Sequence, residues 1–316
     1  MTALDKRLST PIVWLVLVTM PYWMDAVGGY TELAIRVVVL GLAAMALNFL
    51  LGFTGVLSFG HAAYFGLGAY GAAMTIKYLV PSTALSIVAG VIVGTLAAAL
   101  IGALIVKLRG TYFAMVTIAF GQVFYFIVFR WNSVTGGDDG ITGWSRQPLD
   151  LGFTTIDILK DDKAFYFFVL ALFAIAVGSM ALLLRSPLGR TLVAIRENER
   201  RARFLGIPVE QHIWLSFVIS GAFAALAGTL YALLSNFTDP RSLHWTVSGN
   251  FVIMAVLGGM RSFWGPLVGA AIFVVLQDYV SSHTENWMSF IGLFFVLVVT
   301  FFPRGIMGIV KRRVGA

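Results

Sequence analysis

The chain has 316 residues and a formal charge of +7, with 59% hydrophobic and only 12% charged residues, where a soluble domain carries roughly 25% charged residues. So little charge cannot cover a water-facing surface, which excludes an ordinary soluble domain and leaves a chain whose solvent is hydrocarbon. The absence of cysteine excludes disulfide scaffolds, thiolate catalysis and Cys-based metal sites.

The first apolar run, Thr10 to Met24, follows Lys6 and Arg7. No clean small-x-small cleavage pattern comes after it, so a retained first span is expected rather than a signal peptide. Between Arg36 and Lys77 lies an uncharged stretch too long for one span of ~20 residues and right for two, with a glycine-rich turn expected around Gly52 to Gly60. Ala84 to Val106, Tyr112 to Phe129, Ala164 to Leu184 and Ile213 to Leu234 each read as one span. Thr246 to Gly259 and Phe263 to Gln277 flank Arg261, and Trp287 to Phe302 closes the series. Helices satisfy their own backbone groups in hydrocarbon, so the expectation is an all-α polytopic bundle of about ten spans. It forms a single transmembrane domain over 1–316, with broken or re-entrant glycine-rich segments.

Charge gives a separate test of that count. With the N-terminus in the cytoplasm and ten alternating spans, the inner side sums to +11 and the outer side to −4. The positive-inside rule then places both termini inside, together with a basic loop over 185–212, and an acidic loop over 131–163 outside. The same distribution explains the basic net charge through the bilayer and without nucleic acid.

The 185–212 loop contains Ser186-Pro187-Leu188-Gly189-Arg190-Thr191, then Ala194-Ile195-Arg196-Glu197-Asn198-Glu199-Arg200-Arg201-Ala202, then Gly206-Ile207-Pro208. Pro187 and Gly189 are expected to end the preceding span. Residues 190–205 read as one short charged helix closed by Gly206. Such a helix suits docking to a soluble partner; equally, it suits an amphipathic linker.

Three further stretches stand out in chain order. They are Ala46 to Gly55 continuing through Leu57-Ser58-Phe59-Gly60-His61 to Tyr70, Gly136-Gly137-Asp138-Asp139-Gly140-Ile141-Thr142-Gly143, and Val256 to Pro266. With the cytoplasmic segment, these resemble the permease subunits of branched-chain amino-acid ABC importers, over about residues 33–308. The resemblance implies a coupling role for Gly189, Arg190, Ala194, Arg196, Glu197, Asn198, Glu199, Ala202 and Gly206. It also implies as partners two ATP-binding subunits, a homologous second permease and a periplasmic solute-binding protein, in a bacterial inner membrane. Of the general coupling form Glu-Ala-Ala-x-x-x-Gly, only Ala202 and Gly206 match, with Arg200 and Arg201 in the other places. Similar permeases of the family carry urea, short amides or other organic solutes.

The glycines from Gly52 to Gly71 are too many for an unbroken helix at ~1 kcal/mol each against alanine. They serve close helix packing, as in Ala62-x-x-x-Gly66 and Gly265-x-x-x-Gly269, or a broken helix lining a polar cavity. Ser58-Phe59-Gly60 is echoed by Ser262-Phe263-Trp264-Gly265. Candidates for the translocation route are Asn48, Ser58, His61, Tyr64 and Gln122, with Gln277 a weaker case. Polar groups at this depth usually face a bundle interior, where Asn48 lines the route or joins helices, and His61 meets solute or caps a helix. Arg36 and Asp278 are expected to snorkel to the outer interface.

No Asp or Glu lies deep in a predicted span, which favours energisation by separate ATPases over an ion-coupled secondary transporter. No Walker A motif is present. No paired carboxylates, metal-spaced histidines or nucleophile arrangement support an enzyme, and no cofactor is implied.

Overall fold

The computed structural model describes residues 3–24, 29–150, 155–156, 161–301 and 305–308. Helices dominate it. They are α1 (Ala3–Trp23), α2 (Thr31–Asn48), α3 (His61–Met74), α4 (Thr83–Ile105), α5 (Gly110–Arg130), α6 (Asn132–Thr135), α7 (Asp162–Arg185), α8 (Pro187–Glu197), α9 (Glu199–Phe204), α10 (Val209–Ser235), α11 (Trp245–Gly258), α12 (Gly265–Ser281) and α13 (Trp287–Phe301). α2 and α3 continue as wider π-helical turns, Phe49–Thr54 and Thr75–Leu79. Five helical stretches are long and apolar enough to cross a membrane, and four shorter apolar helices accompany them. This is the expected all-α polytopic bundle. Among the described residues the extended structure amounts to a two-residue antiparallel ladder, Leu149–Asp150 with Thr155–Ile156, and an isolated bridge between Ile141 and Thr238. The basic residues Arg304, Lys311, Arg312 and Arg313, and the acidic Asp25 and Asp157, lie outside the described residues.

Side-chain size, more than polarity, sorts the faces of these helices. On α4 the large residues Leu85, Val88, Ile92, Leu96, Leu100 and Leu104 form an exposed stripe at helical spacing, while Gly90, Gly94, Ala97 and Ala98 are buried. Hydrocarbon is as apolar as leucine, so burying leucine against protein gains little there. Small residues inside let backbones approach and gain dispersion contacts instead. A Cβ on Gly68 would strike the Ala225 backbone of α10, and Thr229 Oγ1 donates to the Gly68 carbonyl at 3.1 Å. α2 is the buried axis, and α7, α10, α11 and α12 pack around it, while α3 packs on α10 and α4.

The bundle has one end carrying α8 and α9 and a far end carrying 131–150. Tyr30 at the far end of α2 donates to Asp278 Oδ1 at 2.8 Å, and Gly41 faces Leu267. At 1.5 Å per residue, α12 therefore begins roughly midway down α2. Residues 259–264 continue alongside the last turns of α2, where Asn48 Nδ2 donates to the Ser262 carbonyl at 3.4 Å.

Four boundaries differ from the sequence reading. Gly52 remains helical, so the turn shrinks to 55–60, beginning at Gly55 with φ 82°. Pro187 does not close α7. It opens α8, where its missing N–H costs nothing, and Ser186 ends α7. The expected single helix over 190–205 is two helices, because Asn198 leaves helical geometry (φ −158°, ψ 95°) and its side chain caps α9 by accepting from Arg201 N–H at 2.9 Å. Finally, α11 does not cross the bundle alone. Ser248 near its start meets Ala62 of α3, and Gly258 at its end packs on Gly265. The crossing from Ser235 to Gly265 is therefore shared among a 3-10 turn at Pro240–Leu243, α11 and the 259–264 segment.

Candidate functional site

The chain leaves the π-helical end of α2 at Gly55, passes through the short 56–60 segment and starts α3 at His61, which Ser220 Oγ bridges to the Ala46 carbonyl of α2. The first N–H groups of a helix have no intrahelical partner, and water is not at hand there. Hydroxyls supply the acceptors: Phe59 N–H donates to Thr117 Oγ1 (3.1 Å), Gly60 N–H to Ser58 Oγ (3.2 Å) and Ala62 N–H to Ser248 Oγ (2.7 Å). His61 is fully buried between them. Ser220 Oγ gives its proton to the Ala46 carbonyl at 2.5 Å, so it accepts from His61 Nε2–H at 2.6 Å. Nδ1 is then the acceptor for Ser58 Oγ–H at 3.2 Å. This pattern fixes one neutral tautomer and ties α2, α3 and α10 through a single ring.

At the other boundary of the same segment sits the elbow made by α8 and α9. Its apolar face is already occupied: Ile195, Ala202, Val209 and Ile213 form a small core closed by Val56, Val106 and Ile207. Arg196 reaches out of α8 and donates to the Gly52 carbonyl in the π-helical end of α2, and a Cβ on Gly55 would meet the Arg196 side chain. Arg109, in the α4–α5 turn, donates from Nε to both Glu199 oxygens at 2.9 Å. Arg203 pairs with Glu199 at 2.7 Å and Glu210 at 2.5 Å. Partial burial pushes the Glu199 carboxyl up, but hydrogen bonds from Arg203 and Arg109 outweigh it and hold the group below the usual carboxylate range. Glu210 is also held low, first by its own backbone amide and then by Arg203. A cavity of about 620 Å³ opens between the elbow, the start of α5 and segment 55–60. On the elbow's outer side, Phe204 is 90% and Leu205 75% exposed.

A second cavity, of about 470 Å³, lies toward the far end between α2, α10, α11 and α12. Arg36, Asp239, Arg241, Asn250, Gln277 and Asp278 give it polar groups, while Leu40, Phe65, Met254 and Phe273 give it apolar ones. Arg36 and Asp278 both line this cavity, at the end of the bundle where both are expected to reach the interface. The packing of α2 against α12 brings the two side chains to one cavity.

Residues 29–299 match the family described as branched-chain amino acid transport system / permease component. The chain belongs to that family. The high-affinity branched-chain amino acid transport system permease protein LivM of Salmonella typhimurium (strain LT2) is 26% identical, over 97% of this chain and 76% of its own length. LivM of Escherichia coli (strain K12) is 30% identical over 88% and 70% respectively. The permease protein LivH of Escherichia coli (strain K12) is 33% identical over 39% of this chain and 40% of its own length. No solved structure matches the chain.

Within this permease the sequence candidates fall into separate places. Arg196, Glu197, Asn198 and Glu199 line the elbow cavity together. Gly189 is buried against the Leu183 and Leu184 backbone, and Ala202 is buried at 3% exposure, so neither presents an outer surface. Arg190 and Ala194 are exposed, and Gly206 closes α9 at φ 80°. Ser58, His61 and Tyr64 cluster around the start of α3, Asn48 instead meets the Ser262 carbonyl of the 259–264 segment, and Gln122 lies on α5. Asn48 Oδ1, the Tyr64 hydroxyl and Gln122 Nε2 are buried without a protein partner. Phe204 and Leu205 were missed. A run dense in arginine and glutamate reads as a solvated face, and only the turn at Gly206 shows that these two residues point outward.

Proposed function

We propose that this chain is the membrane-spanning permease subunit of an ATP-binding-cassette importer that moves branched-chain amino acids, or a similar small polar solute, inward. The observation that carries the reading is the elbow: a family permease presents an exposed Phe204–Leu205 pair on a segment braced by ion pairs and joined through Arg196 to the end of α2. Both termini and residues 185–212 are cytoplasmic, and 131–163 faces the periplasm. Two separate ATP-binding subunits hydrolyse ATP and dock at the elbow. The chain pairs with a homologous permease, a reading supported by its likeness to LivM along most of its length and to LivH along part. A periplasmic solute-binding protein delivers the solute at the far end.

The mechanism is mechanical. Closure of the ATPase pair moves α8 and α9 as one body, because the elbow has its own core. Arg196 and the packing at Gly55 pass that movement to α2 and to segment 55–60. The test is membrane-impermeant labelling of single cysteines placed at Asn198 and Ser145 in this cysteine-free chain, with uptake measured in the assembled transporter. Labelling from outside at Ser145 alone, with uptake needing the ATPases, is expected. Outside labelling at Asn198, or uptake by the chain alone, overturns the reading.

A further inference from the structure

We infer that the 470 Å³ chamber is a binding site for a zwitterionic α-amino acid with a short aliphatic side chain, held by Arg36 at its carboxylate and by Asp239 and Asp278 at its ammonium. This rests on the importer reading above and adds a site within the permease itself.

Charge is the first argument. The chamber is lined by two arginines and two aspartates, so it is balanced overall and suits a ligand carrying both signs. Among the described residues Arg36 makes no ion pair within 4 Å, although it lies in the second turn of α2. Its guanidinium lines the cavity and offers a ligand carboxylate a fork of N–H donors. Asp278 uses Oδ1 to accept from Tyr30, and Asp239 uses Oδ1 to accept from Ser242 N–H at 3.2 Å. Each retains a second oxygen for an ammonium.

Tiering is the second argument. On α2, Leu40 stands one turn below Arg36; on α12, Phe273 and Val274 stand one turn below Gln277 and Asp278. α12 runs antiparallel to α2, so both walls are polar toward the far end and apolar about 5.4 Å deeper. Phe65 and Met254 extend the apolar tier. A short aliphatic amino acid has the same division between its charged head and its side chain. The volume falls within the ~300–1,000 Å³ of small-molecule sites, and is too small for a docked protein segment of any length.

The experiment is binding of radiolabelled L-leucine to the purified full chain in lipid nanodiscs, with leucinamide and 4-methylpentanoate as competitors lacking one charge each. Saturable binding is expected, with each competitor at least tenfold weaker than unlabelled leucine. Arg36→Gln and the Asp239→Asn/Asp278→Asn pair should weaken binding at least tenfold, with Arg36→Lys recovering part of it. Phe273→Ala should shift preference toward larger side chains, a gain that misfolding does not produce. No binding up to the solubility limit of leucine, or equal binding by wild type, Arg36→Gln and Leu40→Trp, overturns the site. Leucine uptake by the assembled transporter separates the two readings. Uptake without chamber binding removes the site and leaves the importer, whereas absence of branched-chain uptake with chamber binding removes the proposed cargo and leaves the site.

Discussion

Arg196 in α8 donates a hydrogen bond to the carbonyl oxygen of Gly52 in α2. The bond joins the elbow to a stretch where α2 has widened into π-helical turns, and where backbone carbonyls are less well served by the helix itself. It spans two elements far apart in sequence. Its removal should leave each intact but let them move separately. We expect Arg196→Ala to keep membrane expression and ATPase co-purification, and to lower uptake per ATP hydrolysed severalfold. Arg196→Lys should fall between, since one ammonium replaces a forked guanidinium. Uptake and hydrolysis measured together in proteoliposomes decide this; parallel loss of both would point to assembly instead.

His61 should behave as a structural pin. Its ring accepts from Ser58 Oγ–H and donates to Ser220 Oγ, while its faces meet Tyr64 and Phe217 at centroid distances of 5.9 and 6.3 Å. His61→Phe retains the aromatic contacts and leaves the buried Ser58 hydroxyl without an acceptor, which costs about 1–3 kcal/mol. Thermal unfolding in detergent should show a lower midpoint, with binding-protein specificity unchanged.

Much of the scaffold was legible in the sequence because membrane helices announce themselves through long uncharged runs, and the runs ending at Val106, Phe129, Leu184 and Leu234 match helices that end at Ile105, Arg130, Arg185 and Ser235. The breaks were less legible. Asn198 interrupts a run with good helical composition because its side chain captures the Arg201 amide, a local competition that composition does not reveal. The far chamber was hidden for a different reason. Arg36 and Asp278 sit near helix ends, where charged residues ordinarily reach water, and only the pairing of α2 with α12 brings them to one cavity.

Acid should loosen the elbow. Glu199 and Glu210 titrate below the usual carboxylate range in the folded chain, against about 4.3 when unfolded. Their contribution is therefore complete above the unfolded value and is lost as pH falls through the lower folded values. Between about pH 5 and pH 8 the bracing should not change. Below about pH 4.3, hydrogen exchange or proteolysis within 185–212 should rise. Both groups are roughly a third exposed, so salt should weaken the same bracing. Glu199→Gln should show rapid exchange at neutral pH and a smaller acid step.

Docking and elbow integrity should separate by mutation, because the residues that serve them face opposite ways. Ala202 is 3% exposed in the elbow core, whereas Phe204, two residues later, is 90% exposed. Ala202→Trp must overpack the elbow against Ile195, Val209 and Ile213, at about 1–3 kcal/mol. Gly206→Val forces a β-branched residue into φ 80°, at about 1–2 kcal/mol. Both should lower thermal stability and lose ATPase binding as a consequence. Phe204→Asp removes no packing contact, so its effect on stability should stay within about 0.5 kcal/mol. It should still abolish co-purification of the ATPase subunits, because an aromatic side chain buried on a partner carries much of the energy of an interface, and a carboxylate there would be buried without a counter-charge. The measurement is thermal midpoint and ATPase recovery for the three variants at equal membrane expression. If Phe204→Asp retains its ATPases, the exposed pair rests in lipid headgroups and the docking surface must be sought on Arg190 and Ala194 of α8, the other exposed face of the elbow.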